Sequence, residues 1–561
     1  MKNINRIVIL ITLVITFWAG DKLTFQIRTM VIAGHDPFDI INHVLDDFNL
    51  PLHLSLHTTD LVAGLALAII VALTFLYRHT MRKQLRPNEE HGSARWAKPK
   101  EISSFANKER HQNILFAKDV ALNLDSRATQ CNLNSITVGG SGSGKSLRFV
   151  GPNLRQANTS FVVTDPKGEL HRYHADFLKK QGYQVRQLNL IDFASSHCYN
   201  PLNYFNPTQP EVDCMILTDN FIVNTSGRQP AGTDSFWEKA ERALLNALIS
   251  YVYFTSYEEK PATLITVIDL LARMEASEKD ENMQSYVDLL FESVSEWIAA
   301  YDQDPDKHLW SEETTSAIQG LRFSYSQYRT YIQGAGETQK SVIISLGVRM
   351  APLHMSSLRK VLSTDSIAID RLGVEKTALF LIIPDTHSTF SFLVSILYEQ
   401  LFEKNLYIAD HLPNGRLPHQ LHCIMDEFAN IGKMPSFERK IAVMRSRAIN
   451  VSIIVQNLAQ GKALYKDHWE TIIGNCDSLL FLGGNEKSTT EYISKMLGKQ
   501  TIHSIDHSQT RGRNGSWSES DKTLGRELLT PDEIATLPTG KCLYFLRGMH
   551  PYMTDKLDIT K

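Results

Sequence analysis

The sequence predicts an α/β fold: a largely parallel sheet carrying a phosphate-binding loop, split by an all-helical insertion and preceded by a two-helix transmembrane anchor. Three observations predict it. Ile136-Thr137-Val138 reads as the end of a buried strand and runs straight into "GGSGSGKS", residues 139–146. Far downstream a second apolar run, Leu421 to Met425, ends in Asp426-Glu427. Between them, from about residue 208 to 345, apolar residues fall at helical spacing and no convincing strand interrupts them. At 561 residues the chain exceeds what one core supports, so two or three domains are expected.

The first element is the anchor, residues 1–86. "IVILITLVITFWAG", residues 7–20, is free of charge but short for a spanning helix, and no small-x-small cleavage site follows to make it a signal peptide. "LVAGLALAIIVALTFLY", residues 61–77, is long enough to span. Arg78, Arg82, Lys83 and Arg86 follow it directly, while Lys2 and Arg6 flank the first run. The connection over 21–60 carries only Lys22 and Arg28 among several aspartates. This charge bias places both termini in the cytoplasm and a loop of about forty residues outside. "NEEHGSARWAKPKEI" then reads as a linker into the body.

Gly139 to Ser146 spells G-x-x-x-x-G-K-S, the P-loop pattern. Glycines let the backbone of Gly139, Gly140, Ser141, Gly142, Ser143 and Gly144 curl so that its N–H groups face phosphate oxygens. A helix from Leu147 onward adds its positive end to the same anion. Lys145 is placed to reach the β- and γ-phosphates, and the Ser146 hydroxyl to ligate Mg²⁺, so ATP and Mg²⁺ are the expected cofactors. "SFVVTDPKGEL" (160–170) is a second buried strand closed by Asp165-Pro166 and a glycine turn, and "YQVRQLNLID" (183–192) a third. Alternating strand and helix is the signature of a parallel sheet.

"FWEKAERALLNALISYVYF" (236–254), "ATLITVIDLLARM" (262–274) and "MQSYVDLLFESVSEWIAAY" (283–301) read as helices, with Trp237, Leu244, Leu245, Leu248 and Tyr251 as their core. The expected domains are therefore 87–207 and 346–561, two parts of one nucleotide-binding domain, around an all-α insertion at 208–345. The sheet resumes at "TALFLIIPD", 377–385, apolar enough for burial on both faces. Asp426 at its strand end would hold Mg²⁺ through the ion's water shell, and Glu427 would act as general base or position the attacking water. Gln456 closes the apolar run Val451–Val455, on the side where parallel sheets bind ligands, and would sense the γ-phosphate or orient water. Arg445 and Arg447 precede that run, and either is a candidate arginine finger for a neighbouring subunit or part of a basic surface helix. "DSLLFLGG" (477–484) and "KCLYFLRG" (541–548) read as strands around the polar stretch 506–523, expected to be a mobile surface loop. Arg511 and Arg513 within that loop are weak candidates for touching DNA.

A net charge of -3 excludes a globally basic protein, so nucleic-acid contact would need local patches or an assembled channel. Six cysteines without paired metal spacing fit reduced thiols in a cytosolic body.

In their order these pieces resemble the type IV secretion coupling proteins, the membrane ATPases of bacterial conjugation. The resemblance covers nearly the whole chain. Besides the anchor and the P-loop it rests on "GSARWA" (92–97), "DPKGE" (165–169), "DSFWEKAERALL" (234–245) and "ETQKSVIISLGVRMAP" (337–352). "MDEFANIG" (425–432), "VQNLAQ" (455–460) and "RELLTPDEI" (526–534) complete it. It implies a RecA-like P-loop NTPase domain, a helical cargo-recognition domain and a homohexameric ring at the cytoplasmic face of the bacterial cell membrane. It also implies ATP-driven delivery of relaxase-bound single-stranded DNA, or of protein substrates, to the channel subunits of the secretion system. Lys145 and Ser146 match the family's phosphate and Mg²⁺ positions, Asp426 and Glu427 its second acidic motif, and Gln456 its glutamine after the sensor strand. The resemblance points to Arg445, eleven residues before Gln456, as the arginine finger, with Arg447 in reserve. It assigns no chemistry to "GSARWA" or "DPKGE", for which a turn with a capped helix suffices.

Some relatives carry a long acidic C-terminal extension, whereas here Lys561 follows soon after the last predicted strand. Cargo recognition is accordingly expected from the helical insertion or from adaptor proteins. The nearest rival reading is a coupling ATPase for effector proteins without DNA cargo. A septal chromosome pump would call for more membrane segments and a basic winged-helix tail. A non-hydrolysing scaffold sits poorly with the intact set of Lys145, Ser146, Asp426 and Glu427.

Overall fold

The computed structural model describes residues 2–44, 54–80, 86, 89–226, 235–276, 283–510 and 516–557. It has two compact units, Met1–Ser93 with Thr501–Gly525, and Ala94–Gln500 with Arg526–Lys561.

In the larger unit, β1 (Asn113–Ala117) and β2 (Val120–Asn123) form a small antiparallel pair. The main sheet takes β3 (Ser135–Val138), β4 (Ser160–Pro166), β5 (Gln184–Asn189), β6 (Thr377–Ile383), β7 (Leu421–Met425), β8 (Ile449–Val455) and β9 (Ser478–Phe481). β12 (Lys541–Leu546) and β13 (Tyr552–Asp555) extend it at one edge, after the separate pair β10 (Lys499–Thr510) and β11 (Ser516–Glu527). The order is β13-β12-β9-β3-β8-β7-β4-β6-β5, with β12 and β13 antiparallel and the others parallel. Every residue of β6, β7 and β8 is buried, which is why these strands are mostly apolar rather than alternating.

Register decides what meets at the sheet's carboxyl edge. Val138 lies opposite Val455, Ile453 opposite Met425, and Met425 opposite Thr164. The residues that follow these strands, from positions 139, 426, 456 and 165, therefore emerge side by side although the chain separates them by up to 317 positions. The chain leaves β3 for β4 across the gap later filled by β8 and β7, and such a crossover opens a ligand crevice at the strand ends.

Helices Pro210–Thr225, Ser235–Phe254, Leu264–Leu271, Tyr286–Gln303, Glu312–Ile332 and Gly336–Met350 fill the middle of the chain. Among the described residues of that stretch no strand occurs, only an isolated bridge between Tyr257 and Lys260. Thr263, Ser285 and Ser311 each accept a backbone N–H of the first turn they precede, which fixes three of the helix starts. Phe291 stacks flat on Tyr328 with ring centroids 4.0 Å apart, locking two of these helices together.

The smaller unit differs from expectation twice. The first anchor helix is far longer than the apolar run that announced it, spanning Lys2–Ile32, and the second spans Thr58–Thr80. Helix continues because Asp21, Lys22 and Gln26 are buried between the two rather than exposed. Asp21 accepts the Ser55 N–H at 2.9 Å, and Arg28 pairs with Asp60 at 2.9 Å. A Cβ on Gly64 would lie 2.6 Å from the Phe17 carbonyl oxygen, so the helices cross where only glycine fits. By length and composition Val8–Ile32 and Thr58–Arg78 can each cross a membrane.

Of the stretch 506–523, expected as a mobile loop, the described residues 506–510 and 516–523 instead belong to β10 and β11. Lys522 bonds Asp506 at 2.8 Å, and His507 stacks on Trp517 at 5.6 Å. Polar residues on both faces leave no apolar alternation to betray such strands. Arg82, Lys83, Arg511 and Arg513 lie outside the described residues.

Candidate nucleotide site

The loop after β3 is built as a cradle. Gly139 donates its N–H to the Val455 carbonyl and Gly140 to that of Gly483, so these two amides anchor the loop to its neighbours. Among the described residues the amides of Gly142, Gly144, Lys145 and Ser146 donate to no backbone carbonyl, leaving them free to face an anion. Gly142 at φ +75° and Gly144 at φ +89° occupy the left-handed region that the curl requires. A Cβ on Gly139 would lie 2.3 Å from Ser143 Oγ, which is itself buried without a partner. The helical run then opens on a wide turn in which Gly151 bonds back five residues to the Ser146 carbonyl.

Three strands supply the chemistry. Lys145 is 9% exposed and donates to the carbonyls of Gly139 at 2.8 Å and Gly140 at 3.4 Å. Its Nζ stands 4.0 Å from Glu427 Oε1. Ser146 Oγ donates to Asp426 Oδ2 at 2.7 Å, so a hydroxyl and a carboxylate already meet where a P-loop holds Mg²⁺. Gln456 Nε2 donates to both carboxylate oxygens of Glu427, at 3.0 and 3.3 Å. Glu427 takes φ +52°, a strained conformation for a non-glycine residue. Burial pushes the Asp426 carboxyl up from its usual range, and the Glu427 charge adds to this against the Ser146 hydrogen bond. The residues present therefore fit a Mg-nucleotide: free amides, a lysine, and a hydroxyl–carboxylate pair.

Asp165 joins this edge beside Asp426. Burial raises it to about 6 despite the N–H groups of His171 and Leu170, which its carboxylate accepts at 2.7 and 3.1 Å. In "DPKGE" this aspartate thus caps helix Glu169–Lys180. In "GSARWA", Arg95 pairs with Glu101, which caps the Lys98 N–H, so both motifs are turns into capped helices. A cavity of about 750 Å³ opens beside Ser146 and Asp426, walled by Leu147, Arg155, Glu169, Tyr173 and His174. Burial and the neighbouring Arg155 lower the His174 imidazole to about 4.

Neither finger candidate enters this site. Arg445 and Arg447 precede β8, at the sheet edge opposite Gln456, about 20 Å away at the rise of an extended chain. Arg447 is gripped by both oxygens of Asp410, at 2.7 and 3.0 Å. Arg445 donates only to the Ser126 carbonyl at 2.8 Å and keeps its charge unpaired by a carboxylate among the described residues.

Sequence reasoning overlooked Lys556. It is 5% exposed and donates to the Ser143 carbonyl at 3.0 Å, from a segment after β13 with no local motif to flag it. Burial and the nearby Arg148 lower this ammonium from the usual lysine range.

The chain is similar to known proteins over most of this architecture. It is 26% identical over 421 residues to a conjugal transfer protein TraG of Escherichia coli, covering 71% of this chain and 61% of that protein, less than two thirds of its length. It is 23% identical over 520 residues to protein VirD4 of Rhizobium radiobacter, covering 91% and 70% of the two chains. Among solved structures, the unbound bacterial conjugative coupling protein TrwBdeltaN70 superposes with a TM-score of 0.55 at 16% identity, over 85% of this chain and 97% of that one. TrwB in complex with ADP and Mg²⁺ shares the same fold at a TM-score of 0.53 and 16% identity, over 83% and 94% of the two chains. A family model matches residues 95–558, from the "GSARWA" turn to beyond β13, and so takes in the P-loop, the helical insertion and the acidic strand together. With that match the chain belongs to the family of type IV secretory system conjugative DNA transfer proteins.

Proposed function

We propose that the protein is a membrane-anchored, Mg²⁺-dependent ATPase that recruits relaxase-bound single-stranded DNA to a type IV secretion channel. It works as a homohexamer at the cytoplasmic face of the bacterial membrane. The observation that carries the reading is the meeting of Lys145, Ser146, Asp426, Glu427 and Gln456 from three strands at one sheet edge.

The geometry supports the following division of labour. The free amides from Gly142 to Ser146, with Lys145, hold the phosphates. Lys145 leaves the loop carbonyls for them as the stronger, charged acceptors. Ser146 Oγ and the Asp426 carboxylate are the residues that would hold Mg²⁺, which when bound neutralises charge between the β- and γ-phosphates. Glu427, kept in place by Gln456, orients the attacking water or takes its proton. Charge on the γ-phosphate is left for a neighbour's Arg445, which ties hydrolysis to subunit contact. The complex of TrwB with ADP and Mg²⁺, and the likeness to conjugal transfer proteins TraG, support nucleotide use and DNA cargo. The helical insertion at 208–345, or separate adaptor proteins, selects what is carried.

ATP turnover by the detergent-purified protein, with and without single-stranded DNA and with Glu427→Gln as control, tests this. A DNA-stimulated rate that the mutant lacks is expected. A genuine rate indifferent to DNA would favour effector-protein cargo without DNA.

A further inference from the structure

Lys556 sits where a cation is hard to explain by stability alone. It is almost wholly buried, and among the described residues no carboxylate pairs with it or with Arg148 beside it. A buried ammonium without a counter-charge is costly. Its position is nonetheless firmly set. The Lys556 N–H bonds the Gly540 carbonyl at 2.8 Å, and the preceding Asp555 carbonyl accepts the Lys118 N–H at 3.2 Å.

The Nζ meets the Ser143 carbonyl at 3.0 Å, and this acceptor matters. In a trans peptide the carbonyl and the next N–H point in opposite directions. Holding the Ser143 carbonyl toward Lys556 therefore turns the Gly144 N–H the other way. That amide is among those with no backbone acceptor, and Gly144 is at φ +89°. Arg148 lies against the same glycine, since a Cβ there would come within 2.9 Å of its Cδ.

We propose that Lys556 is a positioning residue for the β-phosphate: it fixes the Ser143–Gly144 peptide plane so that the Gly144 N–H faces the nucleotide, and its charge offsets that of the phosphate. This rests on the nucleotide reading of the loop. A residue at the end of the sheet's edge strand thereby completes a loop more than 400 positions earlier in the chain, and that loop's preorganisation depends on the chain's final described segment.

Calorimetric titration of the full chain in detergent with Mg-ADP and with AMP tests it. Wild type should bind ADP well above AMP. Lys556→Met should weaken ADP about tenfold, the scale of one oriented charge-assisted hydrogen bond, and leave AMP within about twofold. Lys556→Arg should restore most of the ADP affinity. If Lys556→Met does not fold, Lys556→Gln, which adds no apolar bulk, should show the same selective loss. ADP affinity equal to wild type in the neutral variants, or equal losses for ADP and AMP, would overturn the assignment of Lys556. A wild-type chain that binds neither nucleotide would instead overturn the nucleotide reading itself.

Discussion

Lys145 is tethered by two loop carbonyls and faces Glu427 at 4.0 Å, so a single cation joins the loop to the carboxylate proposed to activate water. Lys145→Ala should abolish ATP hydrolysis while membrane insertion, checked by fractionation, stays intact; normal turnover in that variant would remove this loop from the chemistry. Gln456→Ala frees Glu427 to swing and should lower kcat about tenfold to a hundredfold with little change in nucleotide affinity, read from steady-state kinetics beside a binding titration. A pH effect also belongs at this scale. His174 is held near 4 in the fold against an ordinary value of 6.5, so it stays neutral there while the unfolded chain binds its proton readily. Its contribution is whole above pH 6.5 and is lost as pH falls toward 4, at a slope of up to about 1.4 kcal/mol per pH unit. Denaturant midpoints at pH 7 and 5 should show this decline, shallower in His174→Gln.

At the scale of elements, the segment after Asp426-Glu427 is fastened to the helical insertion. Asn224, in helix Pro210–Thr225, accepts the Lys433 N–H at 2.7 Å and donates to the Lys433 carbonyl at 2.9 Å. Gly432 sits at φ +89° with room only for hydrogen, since its Cβ would lie 2.6 Å from Asn224 Oδ1. Two residues beyond Asn224, Ser226 accepts from Arg349, which is paired at 3.0 Å with Glu241. Polar contacts from one helix end thus reach both the segment after the acidic strand and the motifs "FWEKAERALL" and "SVIISLGVRM". Asn224→Ala strands the Lys433 N–H, while the carbonyl keeps the Ser395 hydroxyl, and should cost about 1–3 kcal/mol by chemical denaturation. It should also cut DNA-stimulated turnover more than the basal rate. The strands themselves were legible because β4, β6, β7 and β8 are mostly apolar and almost wholly buried. β10 and β11 were not, since strands solvated on both faces carry no hydrophobic signal.

At the scale of the whole molecule the finger question becomes geometric. Arg445 stands at the opposite sheet edge from its own P-loop, so the proposed finger role requires another copy's site. Mixing Lys145→Ala with Arg445→Ala chains, each inactive alone, should therefore restore ATPase activity to about a quarter of wild type in randomly mixed rings. An unchanged null rate would exclude trans action by Arg445, and Arg447→Ala would be the next chain to mix.

The sequence by itself determined two long apolar segments near its start, the strand–helix alternation, the helical insertion and the candidate set of Lys145, Ser146, Asp426, Glu427 and Gln456. Each leaves a local trace: a long apolar run, a period, a glycine pattern, or an acidic pair closing an apolar strand. Tertiary structure decided what depends on register and on contacts remote in sequence. It gave Gln456 to Glu427, tied Gly139 and Gly140 into the sheet, turned Asp165 into a helix cap and brought Lys556 to Ser143. These relations arise where strands far apart in the chain end side by side, and a hydrogen bond between such strand ends leaves no mark on the residues near either one.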